Sequence, residues 1–323
     1  MSCLFLLLIN YLNLNSMATK SYVGHLSKEI ACKQGAVRAV RFNVEGEYCL
    51  TCGSDKSVKL WNPYRGALLK TYSGHGYEVL DAQSSCDSSH IVSCGMDKTI
   101  ILWDVSTGQS LRKYRGHLGT VNCVKFNEDS SVAISGSVDT SVRCWDCRSK
   151  KPEAFQIMQE AKDSVSSVQV TDHEILTGSL DGQIRRYDIR NGQLIADEMA
   201  QPITSVWFTR DGQGLLVSCL DSTLRLIDKD TGELLQEYTG HINTEYKIDC
   251  CLDHTDNHVI SGSEDGTVYI WSLVEGQLIA RLEHVGSKVV HSVSPHPSQA
   301  WILTAAQNSI YLWKDAPEDE NLF

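Results

Sequence analysis

The sequence predicts an all-β protein, a seven-bladed β-propeller of four-stranded antiparallel blades, closed by an N-terminal strand that completes the seventh blade. Three observations carry this. About every 42 residues the chain repeats one phrase, an aspartate in a turn followed six residues later by a large ring at a strand end. Each repeat holds four short strand-like segments separated by turn residues. After the last ring only ten residues remain, too few and too acidic for a final outer strand. A period in this range marks stacked supersecondary units.

The ring positions are Trp61, Trp103, Trp145, Tyr187, Ile227, Trp271 and Trp313, with Ile227 the one non-aromatic member. The residues six places before them are Asp55, Asp97, Asp139, Asp181, Asp221, Asp265 and, in the last copy, Gln307. Seven such units fill about 294 of 323 positions, so the two domains that length alone suggests give way to one continuous architecture.

The third repeat shows the elements in order. Val121–Phe126 places apolar residues for a buried inner strand, Val132–Ser135 reads as a second buried strand, and Ser141–Trp145 alternates with period two as a third. Gln109–Tyr114 is polar, as suits an outer edge. Asn127–Ser130, Gly136–Asp139 and Ser106–Gly108 supply the turns. Helical patterning with a 3.6-residue period is absent, which excludes a helical solenoid. Residues 22–32 precede the first full strand, Val37–Phe42, and have no blade of their own. They are assigned as the outer strand of the seventh blade, which removes exposed sheet edges. The resulting organisation is a leader over 1–21, a propeller over 22–316 and an acidic tail over 317–323. The apolar run Cys3–Ile9 in the leader has no positive residue before it and is too short to span a bilayer, and Met17 is an alternative start.

Charge and cysteine usage narrow the function. With 29 Lys and Arg against 40 Asp and Glu the formal net charge is −11, so neither direct nucleic-acid binding nor a membrane surface is expected. The 12 cysteines are scattered, no Asn-x-Ser/Thr acceptor is present, and the usage fits a reducing cytosol or nucleus. The pairs Cys49/Cys52 and Cys144/Cys147 lie two repeats apart, whereas zinc needs four convergent ligands, so they read as structural thiols. No metal or other cofactor is expected. The chain has no phosphate-binding glycine loop, and inner strands such as Val37–Phe42 and Val165–Val170 offer no acidic pair for hydrolysis.

Residues 26–314 resemble the WD-repeat (Trp-Asp) family. Gly-His stands at Gly74-His75, Gly116-His117 and Gly240-His241, and Trp-Asp at Trp103-Asp104 and Trp145-Asp146. Elsewhere the latter drifts to Trp61-Asn62, Tyr187-Asp188, Ile227-Asp228, Trp271-Ser272 and Trp313-Lys314. The resemblance implies a buried polar network in the blades. It would join His75, Ser93, Asp97 and Trp103; His117, Ser135, Asp139 and Trp145; and His241, Ser261, Asp265 and Trp271. Read as Ser-His-Asp triads these would be catalytic, but catalysis needs one special site and these repeat around a ring. Repeats with Lys33, Ala161 or Gly286 near the histidine position also lack a base. No catalytic residue is assigned.

The resemblance also implies a protein-binding top face with three positions per blade. Carried onto this chain it selects Arg38, Glu78, Leu80, Met96, Asn122, Val138, Leu180, Thr204, Leu220, Glu264 and His291, with Lys247 and Asp249 in the sixth blade. Leu80, Met96, Val138, Leu180 and Leu220 form an apolar arc with a polar rim, the signature of a partner site. Trp145-Asp146-Cys147-Arg148 looks like the box by which some WD-repeat proteins dock on a cullin-RING ubiquitin-ligase adaptor, with Asp146 and Arg148 at its centre and Arg190 in a weaker second copy.

Four stretches, Gly35–Asn62, Tyr72–Ala82, Cys144–Ser149 and Leu220–Leu235, resemble the mitogen-activated protein kinase organizer family. That implies a non-catalytic scaffold, cytoplasmic and nuclear, whose partners are kinase-cascade components and spliceosomal proteins, acting as a monomer within larger complexes. The competing expectation is a ubiquitin-ligase substrate receptor that binds the adaptor.

Overall fold

The computed structural model describes residues 24–284, 286 and 289–315. The leader and the acidic tail fall outside these residues, as do Tyr22 and Val23 of the closing segment. Among the described residues the chain forms 28 strands in seven four-stranded antiparallel sheets. Six blades run from inner to outer strand in chain order; the first is Val37–Phe42, Cys49–Gly53, Ser57–Asn62 and Ala67–Ser73. The seventh takes its outer strand from the other end of the chain. Gly24–Ala31 pairs antiparallel with Ser309–Asp315, from Gly24 opposite Asp315 to Ala31 opposite Ser309. Ile30 and Cys32 then pack in one cluster with Val37, Trp61, Leu303 and Leu312, joining the last blade to the first.

The core lies between blades. Strand alternation sends one set of side chains into each gap, so Trp145 of blade three is buried against Val92, Cys94 and Leu102 of blade two. Burying each aliphatic side chain contributes about 1.5–3 kcal/mol. Inner strands are also stapled sideways. Ser167 Oγ accepts from the Val206 N–H at 3.3 Å, Ser205 Oγ from Cys250 at 3.3 Å and Ser292 Oγ from Val40 at 3.1 Å.

The predicted polar networks form in blades two and three. Trp103 Nε1 donates to Ser93 Oγ at 2.8 Å, Ser93 lies 2.8 Å from His75 Nε2, and His75 Nδ1 reaches Asp97 at 3.0 Å. The chain of donors fixes the roles: indole to hydroxyl, hydroxyl to Nε2, Nδ1–H to carboxylate. Trp145, Ser135, His117 and Asp139 repeat this with 2.9, 2.8 and 3.0 Å. Burial opposes the charge on Asp97, but His75, the Gly76 N–H and Thr99 outweigh it and hold the carboxyl well below its ordinary range.

Other blades satisfy the same groups differently, and three sequence expectations are corrected. In blade one the position belongs to Gln34, not Lys33: its Nε2 donates to Asp55 at 3.4 Å, its Oε1 accepts from Thr51, and Trp61 Nε1 donates to Thr51 at 2.9 Å. In blade seven a histidine is present, two residues before Gly286: His284 Nε2 bonds Thr304 at 2.7 Å, and Trp313 Nε1 bonds the same hydroxyl at 3.0 Å. In blade six the expected set His241, Ser261, Asp265 and Trp271 does not connect. Tyr269 stacks on Trp271 and donates its hydroxyl to Asp265 at 2.7 Å. Trp271 turns to the Thr239 carbonyl at 3.1 Å, Ser261 to the Gly262 carbonyl at 3.0 Å, and buried His241 has, among the described residues, no hydrogen-bond partner on either ring nitrogen. Blades four and five lack the histidine, and there Arg185 and Arg225 bind Asp181 and Asp221 at 2.7 and 2.6 Å.

Candidate protein-interaction surface

A bulge follows the first residue of the inner strand in every blade but the sixth, as between Val37 and Ala39 or Val79 and Asp81. The bulged residue opposes nothing on the second strand and its side chain is re-aimed. These residues are Arg38, Leu80, Asn122, Ser166, Thr204 and His291, while in blade six Asp249, just before Cys250, takes the ladder place that Asp81 holds in blade two. Four of the six line one cavity of about 210 Å³ at the mouth of the central channel, together with Arg41, Glu78, Met96, Tyr246, Lys247 and Asp249. The structure thus brings together Arg38, Glu78, Leu80, Met96, Asn122 and His291 of the predicted face.

Polar side chains at the mouth are paired with one another. Arg38 pairs with Glu78 at 3.2 Å, Lys247 Nζ donates to the Asn122 carbonyl at 3.0 Å, and Tyr246 meets His291 edge-on at 5.6 Å. Burial, with Arg38 nearby, keeps the His291 imidazole below its ordinary value. Beneath the mouth Arg41 bridges two carboxylates, Asp81 at 3.0 Å and Asp249 at 2.7 Å. This corrects the expectation that inner strands hold no acidic pair. The two acids are bound by one guanidinium, and Ser292 adds a 2.8 Å hydrogen bond to Asp249. Burial opposes the Asp249 charge, yet Arg41 and Lys247 prevail and lower its pKa.

The remaining predicted residues lie elsewhere. Thr204 is buried, not surface-facing, because Asn243 covers it: Asn243 Nδ2 bonds both Thr204 Oγ1 and Ser218 Oγ at 3.1 Å. The Glu264 carboxylate is taken up by the loop before the blade-six inner strand, accepting from the backbone N–H of Thr244 and Glu245 at 2.7 Å. Leu180 and Leu220 are half-buried, so the apolar arc is weaker on blades four and five. On blades two and three it is stronger than predicted. Met96 and Val138 are 45% and 48% exposed, and Tyr77 and Leu118, both missed from the sequence, are 64% and 78% exposed. Their signal was a large apolar residue just after His75-Gly76 and His117, where the N–H of Gly76 and Leu118 caps the turn aspartate.

The Arg148 guanidinium is well exposed and lies 4.0 Å from Asp146, while Arg190 is held by Asp188 at 3.3 Å. Among the described residues no group of three or more His, Cys, Asp or Glu is placed to hold a metal ion, and no helix is long and apolar enough to cross a membrane.

Comparison with known proteins agrees with this architecture. The family described as WD domain, G-beta repeat matches residues 19–62 and 276–314, and the family described as nucleolar protein 10-like, N-terminal domain matches residues 80–252. The chain is 69% identical over 288 residues to WD repeat domain-containing protein 83 of Rattus norvegicus, covering 89% of this chain and 91% of that one. It is 61% identical to the protein of that name in Xenopus tropicalis, over 91% and 94% of the two chains. With the Dictyostelium discoideum homolog identity is 36%, over 89% and 97%. The chain is therefore a propeller suited to protein–protein interaction, and it belongs to the WD-repeat family, in the group of WD repeat domain-containing protein 83.

Proposed function

We propose that the chain is a non-catalytic scaffold that assembles the components of a mitogen-activated protein kinase cascade, that it also enters spliceosomal complexes, and that it works in cytoplasm and nucleus. The observation that carries the scaffold reading is the channel mouth flanked by the exposed apolar crest of Tyr77, Met96, Leu118 and Val138. Apolar surface with a polar rim is costly to leave in water and gains most when a partner covers it. The choice of partners rests on the resemblance of the four stretches quoted above. A scaffold raises the effective concentration of its partners and needs separate patches more than a reactive group. Met96→Asp with Leu118→Asp tests the reading: affinity purification with mass spectrometry should lose kinase-cascade partners while the melting temperature holds. Retained partners would overturn it.

A second reading, a substrate receptor of a cullin-RING ubiquitin ligase, is supported by the exposed Arg148 guanidinium, which Asp146 approaches only to 4.0 Å. Arg148→Ala should abolish adaptor capture under this reading and change nothing under the first.

A further inference from the structure

Blade three is built differently at its outer edge. Its outer strand is three residues, Gln156–Met158, where the other blades use five to eight. Pairing with the third strand stops at Cys144 opposite Gln156, so Trp145 and Asp146 have no outer-strand neighbour. The cause is local. The segment Cys147–Ala154 carries Pro152, which has no N–H to give a ladder. The missing half-strand leaves a groove of about 580 Å³ between blades three and four, within the range of cavities that take ligands.

The groove has an apolar floor from Val132, Ile134, Met158, Ile175, Tyr187 and Leu194. At its edge Phe155 and Ile189 are 61% and 57% exposed. Here the blade-four phrase also departs from its pattern. Tyr187 stands in the tryptophan place and is only half-buried, with its hydroxyl donated to Glu160 at 3.1 Å rather than to an interior hydroxyl. The charged side chains that line the groove are Glu160, Asp172 and Asp188, all carboxylates. Arg190 offsets Asp188 from the neighbouring turn, and His173 lies against Asp172. Glu160 and Asp172 stay exposed, on a chain of net charge −11.

We infer that this side groove is a second protein-docking site, distinct from the channel mouth, and that its occupant is an extended segment of another protein carrying a large apolar side chain next to Lys or Arg. The apolar residue fills the floor left by the missing half-strand, and the basic residue meets Glu160 and Asp172. Acidic segments are disfavoured by the same carboxylates.

The test is selection from a phage-displayed random peptide library on the full chain, with the Phe155→Ser/Ile189→Ser variant as counter-selection. Both residues are exposed, so the variant keeps its fold, checked by an unchanged melting temperature. The expected result is enrichment of peptides that join an aromatic or long aliphatic residue to Lys or Arg. Their affinity, measured by fluorescence anisotropy, should fall at least about tenfold on the double variant. It should fall likewise on Glu160→Lys/Asp172→Lys, and when the peptide's basic residues become Glu. Three outcomes would overturn the inference: no peptide dependent on the groove, preference for acidic peptides, or a concentration-dependent dimer of the wild type that the double variant abolishes, which would make a second copy the occupant.

Discussion

Replacing Arg41 with Met should unsettle the whole ring through its axis. The guanidinium is 2.7 Å from Asp249 and 3.0 Å from Asp81, and the three side chains are 15%, 13% and 2% exposed. Removing one partner of a buried ion pair typically costs about 3–5 kcal/mol, because the remaining charge is left in a poor solvent. Lys125 and Lys247 stay behind in the channel and their field reaches Asp249 or Asp81, which argues for the lower end, about 3 kcal/mol. At about 2 °C per kcal/mol for a chain of this size, the melting temperature should fall by about 6 °C. The pH dependence is the sharper readout. In the wild type the lowered pKa of Asp249 contributes stability above the ordinary carboxylate range, lost only as pH falls through the folded-state value. Without Arg41, the burial that already opposes the Asp249 charge goes unanswered by its main partner, so the penalty is full at pH 7 and is relieved by protonation as pH falls toward about 4. The gap between wild type and variant should therefore narrow over that window in urea unfolding followed by tryptophan fluorescence. Adding Asp249→Asn should restore at least about 1 kcal/mol. A melting temperature within about 2 °C of wild type, or a gap that does not change with pH, would refute the reasoning.

Two further outcomes follow from the blade networks. Ser135→Ala removes the acceptor of Trp145 and the partner of His117 and should cost about 1–3 kcal/mol by urea unfolding, whereas Ser261→Ala, whose hydroxyl meets only a neighbouring carbonyl, should cost about 1 kcal/mol or less. Burial lowers the His241 pKa to about 4 from 6.5, so its neutral form stabilises the fold above pH 6.5 and that contribution is lost as pH falls through the window to about 4. His241→Phe, packed edge-on against Trp271, should be neutral or stabilising at pH 7 and should flatten the acid limb of a melting-temperature profile.

The propeller and its closure were legible because they depend on local chemistry repeated seven times. An aspartate must cap a tight turn, and a ring must fill a gap between sheets. What failed did so where loop lengths vary. His75 and His117 each precede their tryptophan by 28 residues, but Gln34 precedes Trp61 by 27 and His284 precedes Trp313 by 29. Judging the place by spacing from the tryptophan thus landed beside the real residues, on Lys33 and near Gly286. The blade-six network was lost to Tyr269, whose hydroxyl competes for Asp265, a contest that spacing does not reveal. On the top face Arg38, Leu80 and Asn122 were legible through the family resemblance, and the structure places each at a bulge. Thr204 was not, because Asn243 reaches it from 39 residues away. Asp81 and Asp249 were overlooked because one sits on the blade-two inner strand and the other just before that of blade six, 168 residues apart in sequence, and only the ring makes them neighbours of one arginine.

The pairing of Gly24 with Asp315 has a practical corollary. Both ends of the described stretch lie side by side on one sheet, at a single point on the circumference. The molecule is topologically a loop with a nick. A short Gly/Ser bridge across that nick and fresh termini at an exposed hairpin tip elsewhere should yield a rearranged chain that folds to the same disc.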